Sequence, residues 1–177
     1  MNNLPTTENK ETAMNTELGA ESLIKNKVNS KYTLIDITFS YYCVLGCKHC
    51  MFDCTPRKRN KKLKKKEVFK YIDQAIDTGR FCEYSFGEQE IFFDINGFIE
   101  TAKYLRSKVD NALITTSTSS IWVKNYKHAF DSLHQLMSVG LHSILISIDD
   151  YHIEHVNIEK IAECTKAQGE KVVLFNI

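Results

Sequence analysis

Residues 137–150 read MSVGLHSILISIDD. The stretch closes a helical pattern (Phe130, Leu133, Leu136, Met137), places Gly140 behind it, runs through the short β-rich segment Ser143 to Ile148 and ends on two acids. Glycine takes the left-handed cap of a helix without strain, so this order reads as helix, cap, strand. The same phrase recurs around Gly79, before Phe81 to Phe86, and around Gly169, before Lys171 to Phe175. Two further β-rich runs are Leu34 to Phe39 and Ala112 to Thr116. Helical spacing separates them at Val68, Ile72, Ala75 and Ile76, at Phe98, Ile99, Ala102 and Leu105, and at Ile158, Ile161, Ala162 and Thr165. Expected strand starts at 81, 112, 143 and 171 lie 31, 31 and 28 residues apart, close to the roughly 30 residues of a βαβ unit. The reading is α/β: about five β/α units in a parallel sheet, which right-handed crossovers curl into an incomplete (β/α) barrel.

The 177 residues, 20.4 kDa and 43% hydrophobic content suit one core domain. Residues 1–30 are expected to form a flexible tail and short helix, and 31–177 the core. A mean hydropathy of −0.29, with no apolar stretch near the roughly 18 residues of a membrane span and no signal peptide, argues for a cytoplasmic protein without membrane partners. Eight of the 23 Lys and Arg lie between Arg57 and Lys66, leaving 15 basic against 22 acidic residues elsewhere. That balance argues against nucleic acid as a partner. The run RKRNKKLKKK itself reads as a solvated loop and helix start, or as a dock for an acidic reductant or an acidic leader peptide.

The interval from 34 to 81 is 47 residues, about 16 more than the others, and the surplus holds the cysteines. Loops after the C-terminal ends of strands build the functional face of a β/α protein. In ITFSYYCVLGCKHCMFDC (37–54), Cys43, Cys47 and Cys50 form C-x3-C-x2-C directly after the first strand. Three thiolates on a cubane cluster leave one iron open to a small chelating molecule. Two other readings stand beside this one. Cys54 would complete a four-thiolate zinc site, and Cys47, Cys50, Cys54 and Pro56 echo the tail of a ferredoxin motif. Cys54 is expected to be a spare loop thiol, Cys82 and Cys164 to serve as buried apolar residues, and Trp122, Tyr41 and Tyr42 to pack. His128, His134, His142 and His155 show no partner pattern.

The C-x3-C-x2-C spacing resembles the signature of the radical S-adenosylmethionine (SAM) superfamily, with His49 at the position before the last cysteine. The likeness spans roughly residues 32 to 177. SFGEQE (85–90) is similar to the family's Gly-Gly-Glu-Pro element, which implies that Phe86, Gly87 and Glu88 meet the amino group of SAM. TTSTSS (115–120) stands where the family has Thr-Asn-Gly, with Thr116 at the threonine. SILISIDDYH (143–152) resembles the Ser-x-Asp segment, implying that Ser147 and Asp149 meet the ribose or carboxylate of SAM, with His152 following as in peptide-modifying members. The resemblance further implies a [4Fe–4S] cluster on Cys43, Cys47 and Cys50, reduced by a flavodoxin- or ferredoxin-type partner. It also implies reductive SAM cleavage to a 5′-deoxyadenosyl radical, and hydrogen abstraction from a peptide or protein substrate, as in the maturases. Because the family core has six strands, the chain is expected to be a core truncated after its fifth strand. An inactive fragment, a cluster-binding module and a zinc-stabilised interaction domain are the alternatives.

Overall fold

A computed structural model describes residues 33–80, 82–87, 89–168 and 172–176. The tail and short helix expected at 1–30, and the cap expected at Gly169, lie outside the described residues. Five strands, β1 (Leu34–Asp36), β2 (Glu83–Ser85), β3 (Leu113–Thr118), β4 (Leu141–Ile148) and β5 (Val172–Asn176), form one sheet in the order β1-β2-β3-β4-β5. Every pairing is parallel. A sheet in which each strand lies beside its predecessor winds in one sense only, so this is the partial (β/α) barrel and not a doubly wound sheet.

The helices are α1 (Lys65–Asp77), α2 (Ile95–Arg106), α3 (Tyr126–Ser138), the single turn α4 (Asp150–Ile153) and α5 (Ile158–Gln168). Short 3-10 turns at Pro56–Lys58 and Ile91–Asp94 punctuate the loops after β1 and β2. Local chemistry sets the helix starts. Lys64 N–H donates to the Glu67 carboxylate at 2.7 Å, Gly97 N–H to Asp94 at 3.3 Å and His128 N–H to Asn125 at 2.9 Å, each satisfying a donor that a first turn leaves over. Gly140 ends α3 with φ +92°, and a Cβ there would lie 2.5 Å from Arg106 Nε. The Arg106 guanidinium fills that space because it donates to the Gly140 carbonyl at 2.8 Å and to the Asp110 carbonyl at 2.6 Å.

The core lies where the sheet meets the helices, with Ile72, Tyr84, Phe86, Phe98, Leu105, Ile114, Leu133, Leu136, Ile144 and Ile146 fully buried. On β3 burial alternates, Ile114, Thr116 and Thr118 facing inward, as the two-residue period of a strand requires. Two helices present faces other than those expected. On α3 the inward residues are Ala129, Ser132, Leu133 and Leu136, while Phe130 is exposed and stacks on His134 at 4.5 Å. On α5 Ile161, Cys164 and Ala167 are buried and Ile158 is 59% exposed. Cys164 is buried as expected, whereas Cys82 precedes the shortened β2 and is exposed. Among the described residues no helix is long and apolar enough to cross a membrane.

Candidate functional site

The loop after β1 is built from turns that set its four cysteines along one cavity. Gly46 takes φ +61° under Pro56, Cys50 N–H bonds the Cys47 carbonyl at 3.1 Å, and Asp53 N–H bonds the Cys50 carbonyl at 2.9 Å. The chain then returns as an antiparallel pair, Leu63 N–H to Phe39 O at 2.8 Å and Tyr41 N–H to Lys61 O at 3.1 Å, which ties both ends of the loop. A cavity of about 490 Å³ opens beside it. Cys43, Cys47, Cys50 and Cys54 line it from the loop, Glu90 from the segment after β2, Ser117 to Ser119 from the end of β3, and Ser147, Asp149, Tyr151 and His152 from the end of β4. The C-terminal strand ends thus converge on the cysteines, as a β/α architecture dictates.

The electrostatics of the thiols suit a cation. Burial pushes Cys43 up, with backbone hydrogen bonding partly offsetting it and Glu90 and Cys50 adding to it. Burial and then Cys43 and Cys50 push Cys47 up. Cys43 and Cys47 thus resist ionising until a positive centre stands beside them, and thiolates are the ligand form. Cys43, Cys47 and Cys50 are the residues that could hold an iron–sulfur cluster at this wall. Cys54 N–H donates to Cys50 Sγ at 3.3 Å. The Cys54 thiol is buried and pushed up to about 12, by burial first and then by Cys50 and Cys43.

Two acids complete the cavity wall. Glu90 is buried, its carboxylate receiving Thr118 Oγ1 at 2.7 Å, Ser119 Oγ at 2.7 Å and Ser119 N–H at 3.0 Å. Burial nevertheless raises its carboxyl above the ordinary range. Asp149 behaves oppositely. Burial pushes it up, but the bonds from the His152 ring and from the His152 and Tyr151 N–H groups outweigh that and hold it below the usual carboxylate value. It caps α4 through those N–H groups at 3.0 Å each, while its second oxygen meets His152 Nδ1. His49 stacks on Tyr151 at 4.1 Å and stands edge-on to His152 at 5.3 Å. His49, Asp149 and His152 offer donor atoms within 4.8 Å of one another, and Asp149 also orients the His152 ring through Nδ1.

Of the residues expected in the site, Cys43, Cys47, Cys50, Ser147 and Asp149 share the cavity. Phe86 and Thr116 do not line it. The Phe86 ring is fully buried between Phe39 and Phe98, at 5.5 and 5.7 Å, and its carbonyl accepts from Thr116 Oγ1 at 2.5 Å. Gly87 is buried against β3, where a Cβ would come within 3.2 Å of Ser117 Oγ. Glu88 lies outside the described residues. Glu90, Thr118 and Ser119 are additions that the motif comparison passed over; an acid leading into the apolar run Ile91-Phe92-Phe93 was the signal available. Trp122 packs as expected, stacked on Phe92 at 3.7 Å with Nε1–H donating to Thr118 at 2.8 Å, whereas Tyr41 is exposed.

No family model and no curated protein sequence matches the chain. Solved structures do match it in fold. HydG, a maturase of the [FeFe]-hydrogenase, superposes with a TM-score of 0.59 at 14% identity over 82% of this chain and 35% of its own. BtrN in complex with AdoMet and 2-DOIA superposes with a TM-score of 0.59 at 15% identity over 82% of this chain and 56% of its own. The chain thus spans about a third of the first and just over half of the second.

Proposed function

We propose that the chain is a radical SAM core, with Cys43, Cys47 and Cys50 holding a [4Fe–4S] cluster and the 490 Å³ cavity receiving SAM. The observation that carries this reading is the convergence of the three thiols with Ser147, Asp149 and Glu90 on one cavity at the C-terminal strand ends. The AdoMet bound in BtrN, on a similar fold, supports it. Bound together, cluster and SAM would supply one-electron chemistry for hydrogen abstraction from a substrate C–H bond. This chain's residues bind and orient. Asp149, ionised and fixed by the α4 N–H groups, accepts hydroxyl donors of a ribose. The His49–Tyr151 stack offers a flat apolar face to a purine. Glu90, on the cavity wall, would offer its carboxylate to the cationic end of SAM, and Phe86, Gly87 and Thr116 would brace that wall. Glu88 belongs to the same proposed contact. A peptide or protein substrate and a flavodoxin- or ferredoxin-type reductant complete the reading.

Low-temperature EPR of the anaerobically reconstituted, dithionite-reduced protein tests it, with and without SAM and beside a Cys54→Ala variant. The expected outcome is a [4Fe–4S]¹⁺ signal that shifts with SAM and survives loss of Cys54. A signal indifferent to SAM would end the proposal. The presence of Cys54 on the same cavity wall as Cys43, Cys47 and Cys50 supports a second reading, a four-thiolate zinc site. Metal analysis returning zinc without iron or acid-labile sulfide would establish it.

A further inference from the structure

The turn at the middle of the cysteine loop also carries a histidine. Cys50 N–H bonds the Cys47 carbonyl at 3.1 Å, which sets His49 on a turn between two cavity cysteines. The His49 ring stacks on Tyr151 at 4.1 Å and stands edge-on to His152 at 5.3 Å, so the loop after β1 meets the single turn α4 through side chains. Asp149 and His152 are three residues apart, a spacing that puts both on one side of that turn. One nitrogen from each ring and one Asp149 oxygen all lie within 4.8 Å of one another, on the wall of the 490 Å³ cavity. The SAM contacts proposed above use the Asp149 carboxylate and the face of His49. They use no imidazole nitrogen.

Two imidazoles and a carboxylate are a donor set for a mononuclear first-row transition ion, with further positions left open. The imidazoles select against calcium and magnesium, which take oxygen ligands. Asp149 has the capacity for such an ion. A carboxylate offers about four lone-pair sites, and here Oδ1 receives the Tyr151 and His152 N–H groups while Oδ2 meets only His152 Nδ1. Nδ1 of the neutral ring and Oδ2 converge on one proton, whose place a cation can take. The ring then carries its proton on Nε2, so the tautomer changes and the proton count does not. We propose that His49, Asp149 and His152 form a site for one divalent transition-metal ion of the zinc or iron(II) class, separate in its ligands from the cysteines. An ion held there ties the loop after β1 to the end of β4. It also regulates the cavity: on the radical SAM reading, on which this clause rests, ion and nucleotide compete for Asp149 and His49 and exclude one another.

Anaerobic titration of the full chain with cobalt(II), read by absorption, tests it, with Cys43, Cys47, Cys50 and Cys54 replaced by serine so that thiols do not compete. One equivalent should bind saturably and give visible d–d bands without a near-ultraviolet sulfur-to-cobalt charge-transfer band. Affinity should fall at least about tenfold in His49→Ala, in His152→Ala and in Asp149→Asn. It should stay unchanged in His134→Ala, which lies on α3 against Phe130. The wild-type chain gives a second measurement that does not depend on the serine replacements: His49→Ala should lower the cobalt bound by one equivalent and leave the sulfur band in place. Cobalt held with the sulfur band alone, or binding indifferent to His49→Ala and His152→Ala, would overturn the proposal. SAM added to the cluster-loaded chain should release the ion, and SAM and cobalt bound together would overturn the competition. A chain whose EPR signal shifts with SAM but that takes no cobalt at the histidines ends this inference alone, whereas cobalt bound at the histidines of a chain indifferent to SAM ends the radical SAM reading alone.

Discussion

Glu90 shows how one residue can be set by partners far away in sequence. Its carboxylate is taken from water and given three donors from Thr118 and Ser119, 28 and 29 residues on, yet burial outweighs them and raises its carboxyl above the ordinary 4.5. Between 4.5 and the raised value the folded chain binds more protons than the unfolded one. Stability therefore falls as pH rises through that window and stays lower above it. Asp149 has the opposite sign. Its depressed carboxyl stabilises the fold above its ordinary 3.8, and the gain is lost as pH falls, so the two effects occupy different windows. Urea unfolding from pH 4.5 to 8 should show a declining stability for the wild-type apoprotein and a flatter profile for Glu90→Gln. An unchanged slope in the variant would assign the pH dependence elsewhere.

At the scale of elements, glycines 79 and 140 end helices in the same left-handed region but in different surroundings. Gly79 has φ +61° and nothing within 4 Å of a Cβ, whereas a Cβ at Gly140 would strike Arg106 at 2.5 Å. A left-handed alanine costs roughly 1–2 kcal/mol at either place. Gly140→Ala should cost about 1 kcal/mol or more beyond Gly79→Ala, since it also dislodges the guanidinium that ties the end of α2 to the α3–β4 turn. Urea midpoints decide this, and equal losses would mean that Arg106 gives way freely. Both glycines were legible in the sequence, because a cap is a local event. The rotation of α3 was not, since Phe130 and Ala129 fit the helical period almost equally and only packing against α5, α2 and β4 selects between them.

Over the whole molecule, the cavity joins the loop after β1 to the ends of β2, β3 and β4, so whatever fills it ties four strands together. A ligand that binds only the folded state stabilises it by about 2.7 kcal/mol at a hundredfold excess over Kd. Cluster reconstitution should raise the melting temperature, and SAM should raise it further. Cys43→Ser should lose both gains while the basal melting of the apoprotein is kept. A SAM gain that persists in Cys43→Ser would separate the nucleotide site from the thiols.

The sequence by itself determined the alternation of strand and helix, the glycine turns at 79 and 140, and the loop that carries three cysteines at C-x3-C-x2-C spacing. These are properties of neighbouring residues, written in hydrophobic period and backbone preference. Tertiary structure alone decided that Glu90 stands buried in the cavity wall, that the Phe86 ring turns into the core and that Cys82 faces solvent. Each of these depends on contacts between residues distant in the chain, which no local pattern encodes.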